Sequence, residues 1–322
     1  MKVADPCILV IGAGSIGCRH AGNLHALGCD VGIHDVAAER MKSCCATTGC
    51  RQVPDLTQAL ASGDFHAAVI CTPTVHHVTM AQACADAGLH LFIEKPLSDR
   101  FTGVEHLLET VRSRDLTGMV GFNLRYEPGL LWLKQNIDPR TIAFGRVEFG
   151  SYLPSWRPEQ DYRLGYSARK DLGGGIVLDD VHEIDYPCWI FGLPQRVQST
   201  AGRFGGLDIN VEDTAEIQLI YPDQVLTIHM DYLQRKYTRR AMFCTRDGYS
   251  ISWVFGEGVT WSDAGGDHTY SYGADFRIND LYVAEMQEFL TSLAGGRTPQ
   301  SSLANGAEIL RIALQVKEGI VL

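Results

Sequence analysis

The chain has 322 residues, 45% of them hydrophobic and 20% charged, with a formal net charge of -10. That length exceeds one typical core and suits two domains. The acidic balance argues against a nucleic-acid surface, and no apolar run approaches the roughly 18 residues of a membrane span.

Met1 to Asp5 leads straight into the apolar run Cys7-Ile8-Leu9-Val10-Ile11. The run is too short for a secretory leader and lacks its small-residue cleavage site, so it reads as a first buried strand. Of the ten cysteines, Cys7 and Cys71 sit in strand-like runs and Cys84 and Cys188 in helix-like ones. Buried free thiols and a cytoplasmic location are expected. Cys44, Cys45 and Cys50 cluster without a C-x-x-C pair, so no metal site is expected.

A helix follows the first strand through about Leu27, and Val31 to His34 is a second strand that ends at Asp35. Ala37 to Thr47 is helical, Ala67 to Cys71 a third strand, and Val75 to Ala87 a helix closed by Gly88. His90 to Ile93 is a fourth strand, running into Glu94-Lys95-Pro96. A helix over Phe101 to Ser113 and a strand over Thr117 to Phe122 complete the alternation. Such alternation implies parallel strands with crossover helices.

After Asn123 the rhythm changes. Val147 to Tyr152, Ala215 to Tyr221, Val225 to Tyr232, Arg240 to Cys244 and Tyr249 to Val254 are strand-like with no helices between them. They predict an antiparallel sheet. Helices are expected near Asp280 to Ala294 and Leu303 to Gly319. The fold class is therefore α/β. A doubly wound parallel Rossmann sheet occupies 1–122, and an α/β domain with a large, mainly antiparallel sheet occupies 123–322. The C-terminal helices are free to pack back on the first domain.

Gly12-Ala13-Gly14-Ser15-Ile16-Gly17 fits G-x-G-x-x-G in the context that gives the pattern meaning, between a strand and a helix. Gly12 permits the tight turn, Gly14 lets the backbone approach a pyrophosphate, and Gly17 lets helix and strand pack closely. Ser15 and Ile16 open the helix whose free N–H groups face the anion. Asp35 stands where a carboxylate holds the ribose hydroxyls of NAD and repels the extra phosphate of NADP. Arg40 is near enough in sequence to reach such a phosphate, so NADP stays open.

Lys95 ends the fourth strand, on the edge where open parallel sheets bind ligands. Pro96 restricts it to an extended backbone. A second cluster runs from Gly173-Gly174-Gly175 to Asp185 and reads as a helix entered through a glycine turn. Asp179, His182 and Asp185 are three apart and would share one face, a carboxylate and imidazole suited to acid/base work. Tyr152, Trp156-Arg157, Tyr162-Arg163, Tyr166 and Arg169-Lys170 precede that turn as a basic and aromatic loop. They would bind an anionic or sugar-like substrate, cover the cofactor, or pair with acids of a neighbouring subunit.

Together these pieces resemble the Gfo/Idh/MocA family, named for glucose-fructose oxidoreductase, inositol dehydrogenase and a rhizopine-catabolism protein. The resemblance spans nearly the whole chain. It is carried by Gly12 to Gly17 with Arg19-His20, Thr72-Pro73 with His77, Glu94-Lys95-Pro96, Gly121-Phe122-Asn123 with Arg125-Tyr126, and the Gly173 to His182 segment. It implies an NAD(P)-dependent oxidoreductase in which Lys95 is the catalytic lysine, His182 the acid/base and Asp179 the active-site carboxylate. It also implies cofactor contacts from Thr72, Pro73, His77, Glu94, Lys95 and Asn123, and substrate contacts that include Arg125.

One departure is visible: many members read D-x-x-x-H where Asp179 and His182 read D-x-x-H. The substrates implied are sugars, cyclitols, sugar acids or nucleotide-sugars, and the assembly a homodimer or homotetramer. Two other readings stay open, a non-catalytic NAD-binding sensor and a reductase of imines or double bonds.

Overall fold

The computed structural model describes residues 6–272 and 276–321. In chain order its elements are β1 (Cys7–Ile11), α1 (Ser15–Ala26), β2 (Asp30–His34), α2 (Ala38–Thr48), β3 (Arg51–Gln52), α3 (Leu56–Ser62), β4 (Ala67–Ile70), α4 (His77–Asp86), β5 (His90–Glu94), α5 (Val104–Ser113) and β6 (Gly118–Gly121). There follow α6 (Pro128–Asn136), β7 (Ile142–Gly150), α7 (Ile176–Asp179), α8 (His182–Phe191), β8 (Arg196–Gly202), β9 (Thr214–Ile220), β10 (Val225–Asp231), β11 (Thr238–Thr245), β12 (Ser250–Val254), β13 (Gly258–Asp263) and β14 (Gly266–Ser271). The helices α9 (Ile278–Gly295) and α10 (Leu303–Glu318) and the short β15 (Ile320–Val321) close the chain. Two compact units result, one built from residues up to 123 with 278–310, the other from 124–277 with 311 onward.

The first unit holds a six-stranded sheet in the order β3-β2-β1-β4-β5-β6, parallel throughout. Helices cover both of its faces, which is why β1, β4 and β6 are buried along their whole length rather than alternating. The strand order reverses at β1 and β4, where such sheets bind ligands beyond the carboxyl ends. Ile11 is in register with His34 and Ile70, Ile70 with Ile93, and Glu94 with Gly121. Gly12, Asp35, Thr72, Lys95 and Asn123 therefore all leave the sheet on that one edge.

Helix α9 is part of this unit. Its buried face carries Leu281, Glu285, Met286 and Phe289. Phe289 meets Phe92 of β5 edge-on at 5.7 Å, and the Arg19 guanidinium of α1 lies 4.6 Å from the Tyr282 ring centroid. An amphipathic helix settles where its apolar stripe is covered, and here that is on α1 and β5.

The second unit is a nine-stranded sheet in the order β14-β13-β12-β11-β7-β10-β9-β8-β15. It is antiparallel except where β7 meets β10 and β8 meets β15. In β10, Leu226, Ile228 and Met230 are buried while Val225, Thr227 and His229 are half-buried, the alternation of a sheet with one covered face. Helices α7 and α8 contact that strand.

One expectation fails in the first unit. Cys18 of α1 and Cys44 of α2 are joined by a disulfide, with Cα atoms 5.5 Å apart, so the ten cysteines are not all thiols. The bridge arises because α1 and α2 pack together, which a separation of 26 residues does not reveal. Among the described residues no helix is long and apolar enough to cross a membrane.

Candidate active site

In the first unit the glycine turn is shaped by two different demands. Gly12 has φ +105°, and a Cβ there would lie 2.5 Å from the Cys71 carbonyl oxygen; a Cβ on Gly17 would lie 1.8 Å from that of Gly12. Protein packing dictates both. Gly14 differs: a Cβ there meets no protein atom within 4 Å, and its φ of -71° suits any residue. Gly14 caps α1 without a side-chain hydrogen bond, and the first amide bonded back into the helix is Cys18 N–H. The preceding N–H groups of the first turn form the anion-binding end of a helix.

These residues fit a dinucleotide. Gly17→Ala is expected to destabilise the fold by at least about 2 kcal/mol. Gly14→Ala is expected to cost no more than about 1 kcal/mol while weakening NADH binding. Urea midpoints and NADH fluorescence titrations measure the two effects; wild-type NADH affinity in Gly14→Ala would refute the assignment.

Asp35 is tied to this turn. Its Oδ2 accepts from Ala13 N–H at 2.8 Å, and its Oδ1 accepts from Ala37 N–H at 2.7 Å and from the Arg40 guanidinium at 3.1 Å. Burial opposes its charge, but the two amides and Arg40 outweigh this and hold the carboxyl below its ordinary range. Oδ2 keeps a lone pair for a ribose hydroxyl. Next to it Val36 is 93% exposed, an apolar side chain two residues past β2 that sequence reading passed over. Its one sequence signal is its place directly after Asp35.

Pro73 is exposed and Thr72 half-buried, while Asn123 is buried at the start of a 3₁₀ turn. His77 is buried and ties two loops together. Its Nδ1 is 2.9 Å from Pro96 O and its Nε2 2.8 Å from Thr72 O, so it joins the loops after β4 and β5. Lys95 is half-buried, its peptide to Pro96 is cis, and its backbone N–H donates to Glu94 Oε2 at 3.1 Å. Glu94 is buried, so it supports Lys95 from below.

Among the described residues, His20, Glu94 and Glu285 group three metal-capable side chains within 4.8 Å. His20 Nε2 and Glu94 Oε1 are 2.6 Å apart. Two ligands of one ion with bonds near 2.1 Å stand roughly 3 Å apart or more, so this spacing is that of a hydrogen bond.

In the second unit the glycine turn is again imposed by packing. A Cβ on Gly174 would lie 2.2 Å from Tyr166 O, and one on Gly175 2.3 Å from the Glu212 carboxylate. The expected single helix is broken. α7 ends at Asp179, Asp180 leaves helical geometry at φ -104° and ψ 40°, and α8 opens at His182. Asp179, His182 and Asp185 therefore do not line one continuous helical face.

Arg239 of β11 flanks the break, with its Nη2 2.6 Å from Asp180 Oδ1 and its Nε 2.8 Å from Glu183 Oε1, all three side chains at most 10% exposed. Sequence reading missed this clamp because the arginine stands on a strand more than fifty residues away. Asp179 and His182 are both buried, and Asp179 Oδ2 accepts from the Tyr232 hydroxyl at 3.0 Å. Trp156 meets the Tyr232 ring edge-on at 5.4 Å, so Tyr232, absent from the expected set, joins Asp179 to the aromatic loop.

The loop arginines have partners within their own unit. Arg163 pairs with Asp161 at 2.7 Å and Asp208 at 3.5 Å, and Arg169 pairs with Asp171. Arg157 is exposed, and Tyr152 lies beneath Arg235, whose guanidinium is 4.3 Å from the ring centroid. Tyr166 is half-buried beside the glycine turn. Arg125 is 3% exposed and gripped by Asp185 through bonds of 2.6 and 2.9 Å.

Comparison with known proteins agrees with this architecture. The model of the oxidoreductase family with an NAD-binding Rossmann fold, GFO_IDH_MocA, matches residues 7–122. That of the GFO/IDH/MocA C-terminal domain matches 141–249. A myo-inositol 2-dehydrogenase of Thermotoga maritima is 26% identical over 97% of this chain and 95% of its own. The solved UDP-N-acetylglucosamine 3-dehydrogenase of Acidithiobacillus ferrooxidans superposes with a TM-score of 0.83 at 22% identity, over 99% of this chain and 98% of that one. Levoglucosan dehydrogenase in complex with NADH gives a TM-score of 0.87 at 19% identity, over 98% and 97%. At these identities the two structures speak for the fold.

Proposed function

Because this chain belongs to the Gfo/Idh/MocA family of NAD-binding oxidoreductases, we propose that it oxidises a secondary alcohol of a sugar or cyclitol, or reduces the corresponding ketone. The observation that carries this reading is Lys95, at the carboxyl end of β5 and on the same sheet edge as the glycine turn and Asp35. Bound NAD supplies the hydride acceptor. The first turn of α1 holds its pyrophosphate, Asp35 its ribose hydroxyls, and the exposed Val36 offers a flat base an apolar surface. Lys95 hydrogen-bonds the substrate oxygen and stabilises negative charge developing there. His182 takes the hydroxyl proton in the oxidative direction. Asp179, held by Tyr232, orients His182 or receives a neighbouring hydroxyl.

The named relatives act on inositol, on a UDP-sugar and on levoglucosan, which supports a cyclic polyol over other classes. Local ion pairs favour a neutral substrate, since Arg163 and Arg169 have their charge matched by Asp161 and Asp171. Arg163→Ala and Arg169→Ala are accordingly expected to change KM for a neutral polyol and for a sugar acid alike, within about threefold. A selective rise for the acid would restore the anion site. The half-buried face of the nine-stranded sheet, with Phe144 37% exposed, supports a homodimer or homotetramer, which light scattering reads directly.

The reading is tested by following reduced nicotinamide with NAD and NADP against myo-inositol, levoglucosan, UDP-N-acetylglucosamine and a sugar acid. Turnover with NAD on a polyol supports it. NADH binding with no turnover on any member counts against it and toward a sensor or a substrate outside the panel.

A further inference from the structure

Three groups on three elements meet inside the first unit. His20 on α1 and Glu285 on α9 are fully buried, and Glu94 at the end of β5 is 7% exposed. His20 Nε2 lies 2.6 Å from Glu94 Oε1 and 3.9 Å from Glu285 Oε1. The other Glu94 oxygen accepts the Lys95 backbone N–H at 3.1 Å. With Glu94 accepting on both oxygens, His20 is the donor through Nε2–H.

Neither oxygen of Glu285 has a hydrogen-bond partner among the described residues. A carboxylate in that state, beside a second carboxyl and away from water, is costly when charged. Burial first, and then the charge of Glu94, push Glu285 well above the ordinary carboxyl range. The imidazole is enclosed by Phe92 and Tyr282, edge-on at 5.2 and 5.7 Å. The remaining titratable neighbours are Cys71 after β4, Tyr282 on α9, Arg19 on α1, and Lys95 and His77.

We propose that His20 is a positioning residue for Lys95, acting through Glu94, and that Glu285 is the neutral acid that allows this assembly to stay buried. The inference rests on the role proposed above for Lys95. Its content is a mechanical link. α1 begins at the glycine turn and carries His20; His20 fixes the Glu94 carboxyl; Glu94 fixes the backbone of Lys95. One buried hydrogen bond thus registers the lysine against the helix that receives the cofactor, the kind of supporting shell a precise site needs.

The test uses the full-length protein and whichever polyol the panel turns over. His20→Leu removes the donor and is expected to lower kcat by roughly 10-fold or more, with KM and NADH affinity within about threefold. His20→Gln keeps an N–H at similar reach and is expected to recover kcat to within about threefold of the wild type. Equal losses in the two variants, or a loss of NADH affinity as large as that of kcat, would overturn the proposal. Lys95→Ala separates the two claims. If it turns over normally, the reading of Lys95 fails; if it is inactive while His20→Leu is normal, only the positioning role fails.

Glu285 is read by stability. A carboxyl raised in the folded state favours folding below the ordinary carboxyl range and loses that contribution as pH rises toward its folded value. Glu285→Gln has no proton to lose. Its melting temperature relative to the wild type is therefore expected to rise as pH increases above the ordinary carboxyl range. A difference that stays flat with pH would overturn the neutral-acid assignment.

Discussion

Replacing Lys95 with alanine is expected to lower kcat by roughly 10²- to 10⁴-fold while leaving the NADH dissociation constant within about threefold. The asymmetry follows from where the residue stands. Lys95 follows the last residue of β5, whereas the first turn of α1 and Asp35, the groups assigned to the cofactor, stand at β1 and β2. Its backbone is tied down by Glu94, and Pro96 behind it is tied through His77 to Thr72, so removing the side chain leaves the loop's own supports in place. The loss should therefore fall on the chemical step. Turnover on the panel's polyol and an NADH fluorescence titration measure the two quantities. A kcat within about threefold of the wild type would remove Lys95 from the mechanism.

The second large effect concerns Arg239. Arg239→Met is expected to destabilise the protein by about 3–5 kcal/mol, because it removes a buried positive charge that pairs with two buried carboxylates. Burial works against the charge of Arg239, and Glu183 with Asp180 outweighs it. Both acids adjoin the break between α7 and α8, one on each side of Val181-His182. Loss of the clamp should release that segment as well as weaken the fold. Denaturant unfolding gives the stability. Adding Asp180→Asn and Glu183→Gln to Arg239→Met should recover part of the loss, since those two buried negative charges are then gone. A single-variant loss below about 1 kcal/mol would mean that the acids find other counter-charges and that Arg239 is not the clamp.

Five of the six strands of the parallel sheet were legible because they are largely buried and read as apolar runs between helices; the two-residue edge strand β3 is exposed and polar and was not. Four strands of the second sheet escaped, the two-residue β15 and three more for their polarity. β8 reads Arg-Val-Gln-Ser-Thr-Ala-Gly, β13 Gly-Val-Thr-Trp-Ser-Asp and β14 Gly-Asp-His-Thr-Tyr-Ser, each too polar to announce itself. Cross-strand hydrogen bonding builds such strands, and that is a property of the partner as much as of the segment.

What the sequence determined by itself was local. The glycine turn, Asp35 at the end of β2 and Lys95 before Pro96 are fixed by short-range geometry: a turn, a helix start, a strand end. Tertiary structure alone decided the rest. It turned Arg125 inward onto Asp185, broke the helix between Asp179 and His182, bridged Cys18 to Cys44 and brought Glu285 beside His20 and Glu94. The physical reason is shared. A charge or a thiol acquires its role from what it is buried against, and most of these partners come from elements distant in the chain, where residue type carries no record of who the neighbour will be.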